Sequence, residues 1–136
     1  MREIIVILFV AFCSCSSNPD VEKSLAAIGI HLKDKYTILN NDTSVAIGAA
    51  SKTFNLKISP KDFNQIVAQL KLVKRYSEFK ENDFPNEISE MSYNDKISAF
   101  KSGSKYFYNV SKANTNENYQ VVLVGQNKLS FTYSED

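Results

Sequence analysis

The chain has 136 residues, of which 43% are hydrophobic, 12% aromatic and 23% charged. That length suits one domain, and that composition is too apolar and too aromatic for intrinsic disorder. The formal net charge is +1, and the arginines are Arg2 and Arg75 among many more lysines, so no bulk field or arginine cluster draws the chain to nucleic acid.

The N-terminus comes first. After Met1, Arg2 and Glu3, residues 4–12 are unbroken apolar, from Ile4 to Phe12. A membrane-spanning helix needs about 20 such residues, whereas the apolar core of a secretory signal needs about 7–15. The run is therefore expected to be a signal rather than a span. It ends in Phe12-Cys13-Ser14-Cys15, which holds both cysteines of the chain. This tetrapeptide resembles a bacterial lipobox, in which a small residue precedes the cysteine that is lipidated. Ser14 fits the position before it, and Phe12 departs from the usual leucine. Cys13 is the rival, but bulky Phe12 would then flank the cut.

The resemblance covers the first 15 to 20 residues. It implies a signal peptide at 1–14, lipidation of Cys15, a tether at 15–18 and one domain at 19–136. It further implies attachment to the membrane through a lipid anchor at the cell envelope. Ser16, where an aspartate would retain an enteric lipoprotein at the inner membrane, favours the outer membrane. Plain secretion and a buried helix of a cytosolic protein are the other readings of these residues. A Cys13–Cys15 bridge would be geometrically awkward.

Asn18-Pro19-Asp20 has the chemistry of a helix start, an N-cap followed by proline and an early acid. Val21, Leu25 and Ile28 line one face and Gly29 suits the stop, so a helix is expected at about 19–28. A strand is expected at 36–39, a turn in the cluster Asn40-Asn41-Asp42-Thr43-Ser44, and a weak strand at 45–49. Residues 53–58 alternate cleanly, with Phe54, Leu56 and Ile58 on one side. Ser59-Pro60-Lys61-Asp62 then opens the clearest helix. Phe63, Ile66, Val67, Leu70 and Val73 form its apolar stripe, and Lys71, Lys74 and Arg75 suit its C-terminal end, which places it at about 60–74.

Residues 77–100 mix acids, aromatics and a proline; a turn of helix near 87–91 and a short strand near 96–100 are expected there. The end of the chain reads as three strands. Tyr106, Tyr108 and Val110 alternate with Phe107 and Asn109, and Tyr119, Val121 and Leu123 with Gln120, Val122 and Val124. Leu129, Phe131 and Tyr133 then alternate with the hydroxyl residues Ser130, Thr132 and Ser134. The expected architecture is α+β: an antiparallel sheet with one main helix, about 60–74, packed on one face and a short N-terminal helix.

Chemistry is sparse. His31 is the one histidine, and nothing beside it supplies an orienting acid and a nucleophile. No zinc spacing, phosphate loop or EF-hand pattern occurs, so no metal and no cofactor are expected. The marked feature is electrostatic. Glu78, Glu81, Asp83, Glu87, Glu90 and Asp95 face only Lys80 within 18 residues. The preceding stretch 52–75 holds Lys52, Lys57, Lys61, Lys71, Lys74 and Arg75 against Asp62. These runs make either a bipolar surface that steers a charged partner, with Glu78, Glu81, Asp83, Glu87 and Glu90 as its acidic side, or a basic helix end that neutralises an acidic loop. The tyrosines at 106, 108, 119 and 133 fall at strand-alternating positions beside valine and leucine and are expected to pack in the core, an exposed interface face of the sheet being the alternative.

Ser102-Gly103-Ser104-Lys105-Tyr106 is similar to the Ser-Gly-x-x-Tyr element of membrane-bound inhibitors of C-type lysozyme, also small lipoproteins. The similarity spans five residues, and this chain lacks that family's tryptophan-bearing second motif. The functional expectation is an anchored, non-catalytic binding module with a protein partner, a toxin or an envelope protein, as an immunity or inhibitor protein would have. A structural accessory subunit of an envelope complex, or a carboxylate-based hydrolase, are the alternatives.

Overall fold

The computed structural model describes residues 18–46, 49–86, 90–92 and 95–135. The expected signal peptide, Cys15 and Glu87 lie outside these residues, as do 87–89 of the helical turn expected near 87–91. The rest of that turn is corrected: Glu90 and Met91 belong to a short strand.

Helix α1 (Pro19–Ala26) starts where the sequence places it, because the Asn18 side-chain oxygen accepts from the backbone N–H groups of Asp20 and Val21 at 3.0 and 3.4 Å. Its end is a glycine-terminated turn. Gly29 has φ +77°, its N–H donates to the Ala26 carbonyl, and the Ile30 N–H reaches back to Leu25. Leu25 and Ile30 are each 1% exposed, the apolar pair that accompanies such a stop. Helix α2 (Pro60–Lys71) is capped by Ser59, whose hydroxyl accepts from the Asp62 N–H at 3.0 Å. It ends three residues short of expectation. Leu72 and Val73 close tighter i→i−3 turns and Arg75 takes a left-handed φ of 64°, so the last member of the apolar stripe sits in a turn.

The strands are β1 (Thr37–Ala46), β2 (Ala49–Lys57), β3 (Ser77–Phe79), β4 (Glu90–Ser92), β5 (Asp95–Ser102), β6 (Lys105–Lys112), β7 (Glu117–Val124) and β8 (Lys128–Glu135). Seven of them run in the order β1-β2-β8-β7-β6-β5-β3, and β4 pairs with β5 off that path. All neighbours are antiparallel except β3 with β5. The described residues are dominated by this sheet and carry two helices. This is not a sheet defined by one main helix, because α1 and α2 both send side chains into the same core.

Register explains that core. Phe54, Phe131, Val121, Tyr108 and Ala99 stand opposite one another across β2, β8, β7, β6 and β5, and all are buried. Leu56, Leu129 and Leu123 form a second row beside them. Val21 and Leu25 of α1 and Ile66 and Leu70 of α2 join the same cluster. Tyr106, Tyr119 and Tyr133 pack against it and Tyr108 lies within it, as the alternation predicts.

One element departs from expectation in kind. Residues 40–44 form no turn; they continue β1, pairing with β2 after a bulge between Ile38 and Asn40. Asparagine, aspartate and serine favour turns through local hydrogen bonds. Here β1 ends the strand path, so its polar side chains stay exposed while its backbone is held by β2.

Gly103 is the position where the fold needs glycine. It occupies the first place of the two-residue turn between Ser102 and Lys105 with φ +60°. A Cβ there would meet the Glu81 Cβ at 3.0 Å and its Cα at 3.1 Å. Gly103→Ala is expected to destabilise the fold by about 2 kcal/mol, the left-handed penalty plus the displaced loop, measured by urea unfolding.

Candidate functional site: the open sheet face and its acidic edge

The residues that alternate with the core point to the other side of the sheet. Thr53, Thr132, Gln120, Asn109 and Ser98 lie opposite one another across the same five strands. Ser51, Ser134, Asn118 and Ser111 form a parallel row next to them. The side chains link along the first row: Gln120 Nε2 donates to Asn109 Oδ1 at 3.0 Å, and Asn109 Nδ2 donates to Ser98 Oγ at 3.2 Å. Every residue of these two rows keeps part of its surface in solvent, and Thr132 and Gln120 are exposed. Hydroxyls and amides offer both donors and acceptors, so this face can hydrogen-bond a partner without a buried charge. The hydroxyl side of β8 is legible in the sequence. Its alignment with the amides of β6 and β7 is a product of register.

One end of this face is aromatic. Phe100 and Phe107 stack with centroids 4.8 Å apart, and Phe84 meets both edge-on at 6.3 and 5.7 Å. Phe79 of β3 meets Phe100 edge-on at 6.1 Å. Phe84 comes from the loop after β3 and remains 60% exposed. The loop is pinned by Ser102, 5% exposed, whose hydroxyl lies 2.8 Å from the Asp83 carbonyl and 3.2 Å from that of Lys80. The Gly103 N–H donates to the Phe79 carbonyl. Nothing in the sequence marks Ser102 or Phe84 for this, because their partners lie about 20 positions away.

Of the acidic residues, Glu81 and Asp83 stand beside that aromatic end. Glu78 departs from the acidic group: it is exposed on β3 at the edge of the sheet but pairs with Lys101, so it turns to the core side, where it accepts from the Tyr76 hydroxyl at 3.1 Å. Glu81 and Asp83 are exposed on the pinned loop. Glu90 belongs to β4, which pairs with β5. Asp95 is drawn away from the group by Lys112, at 2.8 Å. Another ion pair joins Lys52 to Asp20 at 3.9 Å.

Other residues singled out in the sequence fall elsewhere. His31 is exposed in the loop after α1. Ser102 and Tyr106 do not share a surface. Ser102 lies under the loop on the open face, while Tyr106 points to the core side, edge-on to Phe63 at 6.4 Å. The five-residue similarity to lysozyme inhibitors therefore has no common binding surface behind it. Among the described residues no group of three or more His, Cys, Asp and Glu side chains could hold a metal ion, and no helix is long and apolar enough to cross a membrane.

Tyrosines near carboxylates titrate late. Burial, and then neighbouring glutamates, push the Tyr76, Tyr119 and Tyr133 hydroxyls above the usual 10.0. Tyr36 rises too, chiefly by burial, with Glu22 adding to it against the opposing hydrogen bond from Asn18. A raised folded-state value means the neutral phenol is favoured in the fold. Its stabilisation is complete below pH 10 and is lost as pH rises through the folded-state values. Phenolate absorbance at 295 nm should thus show these tyrosines ionising above the unfolded chain's range, with unfolding midpoints falling above pH 10.

Compared with protein-family models, curated proteins and solved structures, the chain matches none of them.

Proposed function

We propose that this protein is a lipid-anchored binding module of the cell envelope, without catalytic activity, that engages a protein partner as an immunity or inhibitor protein does. The observation that carries this reading is the open sheet face: rows of partly exposed amide and hydroxyl side chains across five strands, ending in a 60%-exposed Phe84. A flat hydrogen-bonding surface with an aromatic anchor at one side suits a protein interface better than a small-molecule reaction. Glu81 and Asp83, exposed on the pinned loop, give that surface an acidic border, which favours a partner with a basic complement and speeds its encounter. The anchor is Cys15, and the outer membrane is the proposed location.

The test uses the full chain in cells that process it. A photo-crosslinking residue at Gln120 or Thr132 should give one discrete adduct, whereas the same residue at exposed Lys61 on α2 should give none. The combined Glu81→Lys and Asp83→Lys variant should weaken that adduct at least tenfold. No adduct from the open face, or one indifferent to charge reversal, rejects the reading. An alkyne-tagged fatty acid should label the wild-type chain and not Cys15→Ala; equal labelling of both removes the proposed anchor.

A further inference from the structure

On the core side of the sheet, away from the open face, α1 does not close completely over the strands. It leaves a groove of about 290 Å³. Its floor is aromatic, from Phe131, Tyr119 and Tyr133. The two tyrosine rings are tilted 50° with centroids 5.1 Å apart. Ser24 of the helix and its C-cap Ala27 line the groove, side chains too short to fill the space. Asp20 and Lys23 of α1 and Lys52 of β2 stand at its walls, two cations against one carboxylate.

Lys52 is the informative residue. It occupies the core-facing register position, opposite Tyr133, where the neighbouring rows hold phenylalanine and leucine. Its side chain is only 20% exposed, and the carboxylate near it, Asp20, lies 3.9 Å away on a side chain that is 78% exposed. So loose and solvent-screened a pair holds the ammonium weakly and leaves its donors to a ligand. The Tyr133 hydroxyl has the opposite surroundings, 2.9 Å from a Glu135 oxygen and 3.4 Å from one of Glu117. A bound anion would be held at the lysine end with its apolar part over the tyrosine rings.

We infer that this groove is a binding site for a small organic anion with a flat apolar body, its charged group at Lys52 and Lys23 and its ring system on Tyr119 and Tyr133. The size is at the lower limit of small-molecule sites, about 300 Å³, which suits one or two fused rings. No reading of the sequence isolates this site, because Lys52 comes from β2, the rings from β7 and β8, and the lid from α1. It is independent of the protein-binding face proposed above.

The probe is 1-anilinonaphthalene-8-sulfonate, an aryl sulfonate, followed by fluorescence on the folded full chain. Wild type should bind it saturably. Lys52→Met, which keeps the stem and removes the charge, should weaken binding about tenfold, the loss of one charge-assisted hydrogen bond. Ala27→Phe, which places a ring in the groove from the exposed C-cap of α1, should abolish binding. Phe84→Ser, which removes the exposed ring on the other face, should leave it unchanged. The uncharged N-phenyl-1-naphthylamine should bind more weakly and be indifferent to Lys52→Met. Unchanged sulfonate affinity in both groove variants, loss only in Phe84→Ser, or no binding by wild type overturns the inference. Circular dichroism of each variant establishes that it is folded, and Ala27→Phe decides the matter should Lys52→Met fail to fold.

Discussion

Phe131→Ala is expected to lower the free energy of unfolding by about 4 kcal/mol, the range for removing a buried aromatic ring and leaving its cavity. Phe131 is 0% exposed at the middle of β8 and stacks on Phe54, also 0% exposed, with centroids 4.4 Å apart and planes 8° from parallel. It also meets Tyr119 at 6.2 Å. The ring therefore joins β2, β8 and β7 at the centre of the sheet, and the cavity left behind cannot collapse without moving all three strands. Urea unfolding followed by circular dichroism measures the loss. Thr132→Ala supplies the comparison, since the next residue along β8 points to the open face and should cost within about 0.5 kcal/mol. Equal effects at the two positions would mean that the two faces of the sheet are wrongly assigned.

Asp62→Ala is expected to cost about 3 kcal/mol, because a carboxylate holding backbone donors is replaced by a methyl group that holds none. Asp62 is 1% exposed in the first turn of α2. Its two oxygens accept from the Lys33 N–H at 3.1 and 3.2 Å and from the Asp34 N–H at 2.9 Å. Ser59 adds to the junction by donating to Asp34 Oδ2 at 2.7 Å. The carboxylate thus fastens the loop between α1 and β1 to the start of α2, and its position near the helix N-terminus is electrostatically favourable. Asp62→Asn, with one acceptor oxygen left, should lose about half as much, and Ser59→Ala about 1 kcal/mol as a lost cap. Amide hydrogen exchange should rise at Lys33 and Asp34 in Asp62→Ala. Protection unchanged at those two amides would show that the carboxylate does not hold the loop.

Asp62 also marks where reading the sequence stops. As the acid of a capping pattern after Ser59 it is legible, since cap and acid are three residues apart. Its bonds to Lys33 and Asp34, 29 and 28 positions earlier, are not, because no local rule connects a helix start to a distant loop. The same division runs through the candidate site. The acidic run of residues 78–95 is plain in the sequence, and so is the hydroxyl side of β8. That Glu78 lies on an edge strand, that Asp95 is claimed by Lys112, and that Phe84 folds onto Phe100 and Phe107 depend on pairings of β5 with β3 and β6.

The sequence by itself determined the starts of both helices and the inside and outside of the last three strands. Caps are settled by hydrogen bonds within four residues, and a strand's alternation by the pleat of one chain, so both are written locally. Only the tertiary structure decided that Asn40 to Ser44 would be strand rather than turn, that Ser102 would pin the acidic loop, that two helices would share one core, and that Lys52 would stand beside tyrosines under α1. Each of these rests on register between segments far apart in the chain. There the burial of rows such as Phe54, Phe131, Val121 and Tyr108 outweighs the weaker preferences of the residues carried along with them.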